Sequence, residues 1–122
     1  MTVEAVHHVQ MAMPAGGEDA ARGFYGGLLG LPEVPKPPAL AARGGCWFES
    51  ATVRIHLGVE ADFRPARKAH PALLVHDLDA LSTRLRDAGF EVVDDDELPD
   101  FDHVYAYDPF GNRLELLQPC AR

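Results

Sequence analysis

The sequence contains an internal repeat, and this repeat constrains the fold more than any other feature. At a shift of 59 residues, residues 30–31 (GL) fall on residues 89–90 (GF), and residues 54–57 (RIHL) fall on residues 113–116 (RLEL). Upstream the shift becomes 62, and the three extra residues belong to a glycine-containing loop at residues 14–18. Two copies of such a long unit predict a duplicated module rather than a solenoid.

Each copy has the pattern of a strand, a helix and three further strands. In the second copy, Asp77 is a good N-cap, leucines follow at helical spacing, and Gly89 ends the helix. The predicted strands of this copy are residues 69–75, 90–93, 102–107 and 113–118. In the first copy, Ala20, Phe24, Leu28 and Gly30 mark the helix and its end, residues 46–50 and 52–58 are the closing strands, and the proline-rich residues 35–38 form a loop.

The predicted fold class is therefore α+β, with two tandem βαβββ modules. Module 1 covers about residues 1–62 and module 2 about residues 63–122, and both belong to one domain spanning residues 1–122. A chain of 122 residues with 47% apolar residues is long enough for one compact domain with a substantial core.

Charge and cysteine content narrow the classes of function. The formal net charge is -8, and an acidic run at residues 94–97 contributes to it, which argues against a nucleic-acid-binding protein. No apolar run is long enough to span a membrane, and the N-terminal residues lack the pattern of an export signal. Cys46 and Cys120 show no pairing pattern, so we expect reduced thiols and a cytoplasmic location.

Glu115 interrupts an apolar strand. Burying an unpaired carboxylate costs roughly several kcal/mol of folding free energy. Either it faces water or a cation meets it. Strand alternation places the Glu115 side chain on the face opposite to Leu114 and Leu116. In the repeat, His56 occupies the position of Glu115 in the first module. His8 and His70 begin the two opening strands, also at matched positions.

These four side chains, His8, His56, His70 and Glu115, form a candidate metal site. Three imidazoles and a carboxylate suit Zn, Fe, Ni, Co or Mn, and a divalent cation would offset the burial of Glu115. Each histidine taken alone is better explained as an ordinary core or half-exposed residue. The matched placement of all four favours a site, in which His56 is the least secure member.

The same residues resemble the vicinal oxygen chelate superfamily, which includes glyoxalases, bleomycin resistance proteins and extradiol dioxygenases. The resemblance covers nearly all of the chain. It rests in the first module on residues 8–12 (HVQMA), Phe24-Tyr25 and residues 28–31 (LLGL), and in the second on His70, residues 77–80 (DLDA) and residues 107–116 (YDPFGNRLEL).

This resemblance implies a glyoxalase-like half-open barrel of two βαβββ modules around a metal, with His8, His56, His70 and Glu115 as ligands. It also implies a homodimer and a small oxygenated substrate, which the metal chelates in lyase, isomerase or dioxygenase chemistry. Glu115 and His56 are the expected catalytic proton carriers. Glyoxalases usually carry a second glutamate at the position of His56, so this histidine is a departure from their pattern.

Two other functions stay open at this point. One is a non-catalytic protein, similar to bleomycin resistance proteins, that sequesters a drug or metabolite in the same groove. The other is a structural or partner-binding domain with a vestigial site. Tyr105, Trp47 and His103 are candidates for substrate contact, although ordinary strand residues of these types are common. His7 alternates away from His8 and is expected to pack or to be solvated.

Overall fold

The computed structural model describes residues 2–120, and the chain forms two compact units, Met1–Arg64 and Pro65–Arg122. The predicted domain limits, residues 1 and 122, lie outside the described residues, and the single domain stays a prediction. Each unit contains one four-stranded mixed sheet with helical segments, so the predicted α+β class with two βαβββ modules is confirmed. Neither sheet closes into a barrel.

The first unit has the strand order β1-β4-β3-β2, in which β1 and β4 are parallel and the other pairs are antiparallel. Its strands are β1 Val9–Met13, β2 Glu33–Val34, β3 Cys46–Glu49 and β4 Arg54–Val59. Its helical segments are α1 Glu18–Ala21, a π-helical segment Arg22–Leu28 and α2 Pro38–Ala41. His8 therefore lies one residue before β1 rather than inside it.

The predicted helix of the first module is present, but most of it is π-helical. The Leu29 N–H donates to the Phe24 carbonyl, five residues earlier, at 2.9 Å. This wider turn buries both Phe24 and Tyr25, whereas Ala20 of the predicted apolar set is exposed. The predicted loop at residues 35–38 ends in α2, which begins at Pro38 because proline is well tolerated in a first helical turn.

The second unit has the strand order β5-β8-β7-β6, with β5 parallel to β8. Its elements are β5 Ala72–Leu74, α3 Leu78–Asp87, β6 Val92–Asp95, β7 Phe101–Tyr107 and β8 Arg113–Pro119. β5 is shorter than predicted and leaves His70 just outside the strand. β6 begins two residues later than predicted, because Phe90 belongs to the end of the preceding helix.

Helix α3 begins and ends where the sequence predicts. Asp77 adopts a left-handed conformation with φ of 58°, and its side chain accepts from the Ala80 N–H at 3.2 Å. Gly89 has a φ of +91° and follows the helix, while the Phe90 N–H donates to the Leu85 carbonyl at 3.0 Å. This pair of positions forms a Schellman-type end, which requires a residue that tolerates positive φ.

The predicted alternation of faces is confirmed within each sheet. In β8, Leu114 and Leu116 are fully buried on the apolar face, and β1 buries Met11 and Met13 in the same way. Leu78, Leu81 and Leu85 supply the buried side of α3. The opposite faces of β4 and β8 carry the candidate ligands His56 and Glu115.

Candidate metal centre

His70 and Glu115 form a close pair in the second unit. His70 Nε2 lies 3.0 Å from Glu115 Oε1, and Nδ1 lies 2.8 Å from the Lys68 carbonyl oxygen. A carbonyl oxygen only accepts hydrogen bonds, so Nδ1 carries the ring hydrogen. In a neutral imidazole, the lone pair of Nε2 then faces a carboxylate oxygen. Two acceptors at this distance require either a proton or a metal ion between them.

The separation of these two atoms fits a shared ion. Nitrogen and oxygen donors lie about 2.0–2.2 Å from a divalent transition metal, so two donors on one ion are roughly 3 Å apart at octahedral angles and about 3.4 Å apart at the tetrahedral angle usual for zinc. The observed 3.0 Å between His70 Nε2 and Glu115 Oε1 agrees with the octahedral spacing. Nε2 and the carboxylate are also donor types that divalent transition metals accept.

The loop between β7 and β8 fixes both members of this pair. The Asp108 carboxylate accepts from the N–H groups of Phe110 and Asn112, each at 2.9 Å. The Asn112 side chain in turn accepts from the Ala66 N–H at 2.9 Å, and the Arg113 N–H donates to the Ala66 carbonyl at 2.8 Å. The turn therefore ties the start of β8 to the segment that leads into His70.

Glu115 has a second imidazole beside its other oxygen. His103 Nδ1 lies 3.2 Å from Glu115 Oε2, and His103 Nε2 lies 3.8 Å from Asp95 Oδ1. Neither contact is a hydrogen bond, the second because it is too long, and His103 is only 4% exposed. Glu115 is thus buried between two histidines, which explains how a carboxylate is accommodated inside an apolar strand.

Tyr105 lies opposite Glu115 in the pairing of β7 with β8. Its ring centroid is 5.5 Å from that of His70 and 5.6 Å from that of His103, and both contacts are edge-on. The Arg113 guanidinium carbon lies 3.8 Å from the centroid of the Tyr105 ring. The predicted substrate contacts Tyr105 and His103 therefore both border Glu115, and His103 is the more deeply buried of the two.

The first unit brings His8 and His56 together by stacking. Their ring centroids are 4.3 Å apart and the rings are inclined by 18°. The Trp47 ring is stacked on His56 at 4.0 Å and 4°, as expected from the pairing of Trp47 with His56 across β3 and β4. His56 is buried, whereas His8 is exposed.

Three further contacts complete this cluster. His56 Nε2 lies 2.7 Å from Glu49 Oε2, and Glu49 Oε1 lies 3.9 Å from Arg54 Nε. His8 Nδ1 lies 2.9 Å from the Nδ1 of His7, which is exposed. Sequence reasoning missed Glu49. The signal for it was strand alternation combined with hairpin register, because Glu49 lies on the same face of β3 as Trp47 and one diagonal step from His56.

The four predicted ligands thus form two pairs, His8 with His56 in the first unit and His70 with Glu115 in the second. Among residues 2–120, no group of three or more His, Cys, Asp or Glu side chains is arranged to hold a metal ion. Asp95, the other carboxylate near His103, was not predicted. It lies in the acidic run at residues 94–97, whose first two residues belong to β6.

A cleft in the second unit lies between α3 and the β6–β7 hairpin, with a volume of about 830 Å³. Its lining is acidic and includes Asp79, Asp94, Asp95, Asp96 and Asp102. Ser82 also lines it, and this buried hydroxyl has no hydrogen-bond partner among residues 2–120. His70 and Glu115 do not line this cleft.

Both cysteines are free. Burial raises the pKa of the Cys46 thiol to about 11, and the nearby Glu33 carboxylate adds to this shift. Cys46 is therefore a core residue with an unreactive thiol at neutral pH. Within residues 2–120, no helix is long and apolar enough to cross a membrane.

Comparisons with known proteins agree with this geometry. Residues 5–116 match the family model described as the Glyoxalase/Bleomycin resistance protein/Dioxygenase superfamily. The chain is similar to a solved protein from Bacillus anthracis assigned to the glyoxalase family, with 45% identity over 98% of both chains and a TM-score of 0.93. A search among curated proteins finds no match.

Two more distant structures share the fold. The fosfomycin resistance protein FosX from Listeria monocytogenes is 14% identical, with a TM-score of 0.78 over 98% of this chain and 96% of its own. TnmS3, an antibiotic binding protein from Streptomyces sp. CB03234, is 22% identical, with a TM-score of 0.72 over 98% of this chain and 99% of its own.

Proposed function

The chain belongs to the glyoxalase, bleomycin resistance protein and dioxygenase superfamily, and on this premise we propose that it is a small metal-dependent enzyme. It chelates a small oxygenated substrate and acts as a lyase, isomerase or dioxygenase. The proposed ligands of the divalent cation are His8, His56, His70 and Glu115, and the candidate ions are Zn, Ni, Fe, Mn and Co.

One observation carries this proposal, namely the contact of His70 Nε2 with Glu115 Oε1 at 3.0 Å while Nδ1 is held by the Lys68 carbonyl. The arrangement presents a nitrogen lone pair and a carboxylate oxygen to the same point. A divalent cation bound there supplies Lewis acidity toward substrate oxygens that develop negative charge.

Besides the metal ion, the side chains in and around the proposed site contribute to the reaction. Glu115 and His56 are the proposed proton carriers, because each is buried beside a partner that can exchange a hydrogen bond with it. Tyr105 and Trp47 offer ring faces and edges to an organic substrate. His103 borders Glu115 and restricts water on that side of the carboxylate.

Elemental analysis of untagged, dialysed protein tests the proposal. We expect near-stoichiometric metal in the parent, and loss of that metal in both the His70→Ala and the Glu115→Ala variants. His76→Ala is the matched control, since His76 is an exposed histidine of the same unit.

The rival explanation is an imidazolium–carboxylate ion pair without metal. Two results would overturn the proposal in favour of this ion pair. In the first, the parent takes up none of Ni, Zn, Mn or Fe. In the second, the Glu115→Ala protein binds metal as tightly as the parent does. A metal found after purification still needs competition experiments, because affinity order alone does not identify the native ion.

The second candidate function is sequestration of a cationic drug or metabolite without turnover. The acidic cleft of about 830 Å³ in the second unit favours it, since carboxylates and an unsatisfied Ser82 hydroxyl line the same cavity. The shared fold with an antibiotic binding protein makes this function reasonable for the superfamily.

Thermal unfolding of metal-free protein with and without bleomycin, a cationic probe, tests sequestration. A rise in melting temperature that disappears in Asp95→Asn and persists in Asp87→Asn supports it, because Asp87 lies outside the cleft lining. An unchanged melting temperature with bleomycin argues against sequestration of this probe.

We also propose a cytoplasmic homodimer. Two free thiols are consistent with a reducing compartment, and the exposed Leu74 on edge strand β5 offers apolar surface for association. Light scattering after gel filtration and cell fractionation test these two statements. A monomer at micromolar concentration, or a periplasmic fraction, contradicts the respective statement.

A further inference from the structure

Glu49 and His56 form the shortest contact between an acidic and a basic side chain in the candidate centre, at 2.7 Å from Oε2 to Nε2. A carboxylate accepts hydrogen bonds, so in the neutral ring Nε2 carries the hydrogen and Nδ1 keeps the lone pair. No hydrogen bond to His56 Nδ1 occurs among residues 2–120. We propose that Glu49 is a positioning residue that fixes the tautomer of His56, so that Nδ1 is its metal-binding atom.

This inference rests on the proposed function and specifies it further. It gives His70 and His56 opposite donor atoms. His70 is held through Nδ1 by the Lys68 carbonyl and presents Nε2, whereas His56 is held through Nε2 by Glu49 and presents Nδ1. The hydrogen bond made by the other ring nitrogen generally sets which nitrogen a histidine offers to a metal.

Stacking fixes the plane of the same ring. Trp47 covers one side of His56 at 4.0 Å and 4°, and His8 is stacked on it at 4.3 Å and 18°. Within this plane, a 180° flip of the imidazole would remove Nε2 from the Glu49 carboxylate. Among residues 2–120, the hydrogen bond to Glu49 therefore distinguishes the two ring orientations.

Glu49 is itself restrained. It is the last residue of β3 and pairs with Arg54 at the start of β4, and the Arg54 Nε atom lies 3.9 Å from its other oxygen. Arg54 also donates from Nη1 to the His7 carbonyl at 3.3 Å. The carboxylate is only partly exposed, with 26% of the side chain accessible, so its contact with His56 is shielded from water.

The first test uses metal-free protein and ring ¹⁵N spectra at a pH of about 8.5, where an ordinary imidazole is neutral. In the parent, we expect a protonated Nε2 and an unprotonated Nδ1 for His56. Glu49→Gln keeps an accepting oxygen and should preserve this pattern. Glu49→Ala removes it and should give a mixture of tautomers.

Glu33→Ala is the matched control, because Glu33 lies in the same sheet and is bound by Arg22 rather than by a histidine. Amide spectra of each variant verify folding, and the isosteric Glu49→Gln protein keeps the test valid if Glu49→Ala does not fold. An unprotonated Nε2 in the parent, or an unchanged His56 pattern in Glu49→Ala, overturns the proposal.

The second test measures metal affinity. Loss of a residue that orients a ligand typically weakens binding by about 10–100-fold, and we expect that range for Glu49→Ala with unchanged stoichiometry. Equal affinity in Glu49→Ala and the parent overturns the positioning role. A parent that binds no metal overturns the proposed function and the donor-atom assignment, while the metal-free spectra still decide whether Glu49 sets the tautomer.

Discussion

The two units place opposite chemical groups at the same strand position. β4 carries His56 and β8 carries Glu115, and each is buried beside a partner of complementary type from the neighbouring strand. In the first unit a carboxylate, Glu49, holds an imidazole. In the second unit an imidazole, His103, borders a carboxylate. The difference teaches that the partner of a buried polar side chain need not come from the strand beside it. Glu49 on β3 holds His56, whereas Glu115 lies 3.0 Å from His70, which precedes β5. A partner is needed in either unit because an unpaired polar group costs free energy.

The units also differ in how their turns are built. The second unit has a buried Asp108–Asn112 network. In the equivalent turn of the first unit, the Ser50 N–H donates to the Val53 carbonyl at 2.8 Å and the Val53 N–H donates to Ser50 Oγ at 3.3 Å. The Asn112 side chain also binds the segment that leads into the opening strand of its unit, where the first unit has a contact from the Arg54 side chain to the His7 carbonyl at 3.3 Å. His70 is consequently fixed by backbone contacts, while the exposed His8 depends on ring stacking.

The largest expected loss of stability comes from the two cores. Phe48→Ala in the first unit and Leu116→Ala in the second should each lower the free energy of unfolding by about 3–5 kcal/mol, because both side chains are fully buried. Urea unfolding measures this loss. Val6→Ala is the control, since this residue is 79% exposed and the change should alter stability by less than about 0.5 kcal/mol. A loss below about 1 kcal/mol in either core variant contradicts full burial.

A smaller effect should separate the two turns. Asn112→Ala removes hydrogen bonds to Asp108 and Ala66 in a buried position and should cost about 2–3 kcal/mol. Ser50→Ala removes only a long hydrogen bond and should cost less than about 1 kcal/mol. Urea unfolding of both variants tests the comparison, and equal losses would show that the second turn is no better anchored than the first.

The smallest effect concerns Glu18 and pH. The Gly45 N–H donates to Glu18 Oε2 at 2.7 Å, and this backbone hydrogen bond lowers the pKa of the Glu18 carboxyl. A lowered pKa in the folded state contributes stability above the unfolded pKa, and this stability is lost as pH falls through the folded value. Glu18→Gln should therefore be slightly less stable than the parent at pH 7 and equal to it near pH 3.

Unfolding curves of the parent and Glu18→Gln at both pH values measure this difference. Glu60→Gln is the control, because Glu60 is an exposed glutamate of the same unit. A stability difference that is as large at pH 3 as at pH 7 would show that the carboxylate charge is not responsible.

Much of the fold could be predicted from local pattern. Helix α3 was predicted through its cap and its terminal glycine, because these residues satisfy backbone groups within a few positions. The buried faces of β1 and β8 followed from alternation alone. The π-helical segment was not predicted, because the choice between four- and five-residue hydrogen bonds depends on packing Phe24 and Tyr25 together.

The sequence by itself determined the duplicated architecture and which residues occupy the matched polar positions, His8, His56, His70 and Glu115, since strand alternation and repeat spacing are properties of the chain. Only the tertiary structure decided which side chains support them. Glu49, His103 and the Lys68 carbonyl reach their partners across strands or around a loop. Such contacts depend on register and on side-chain direction, which residue spacing along one strand does not specify.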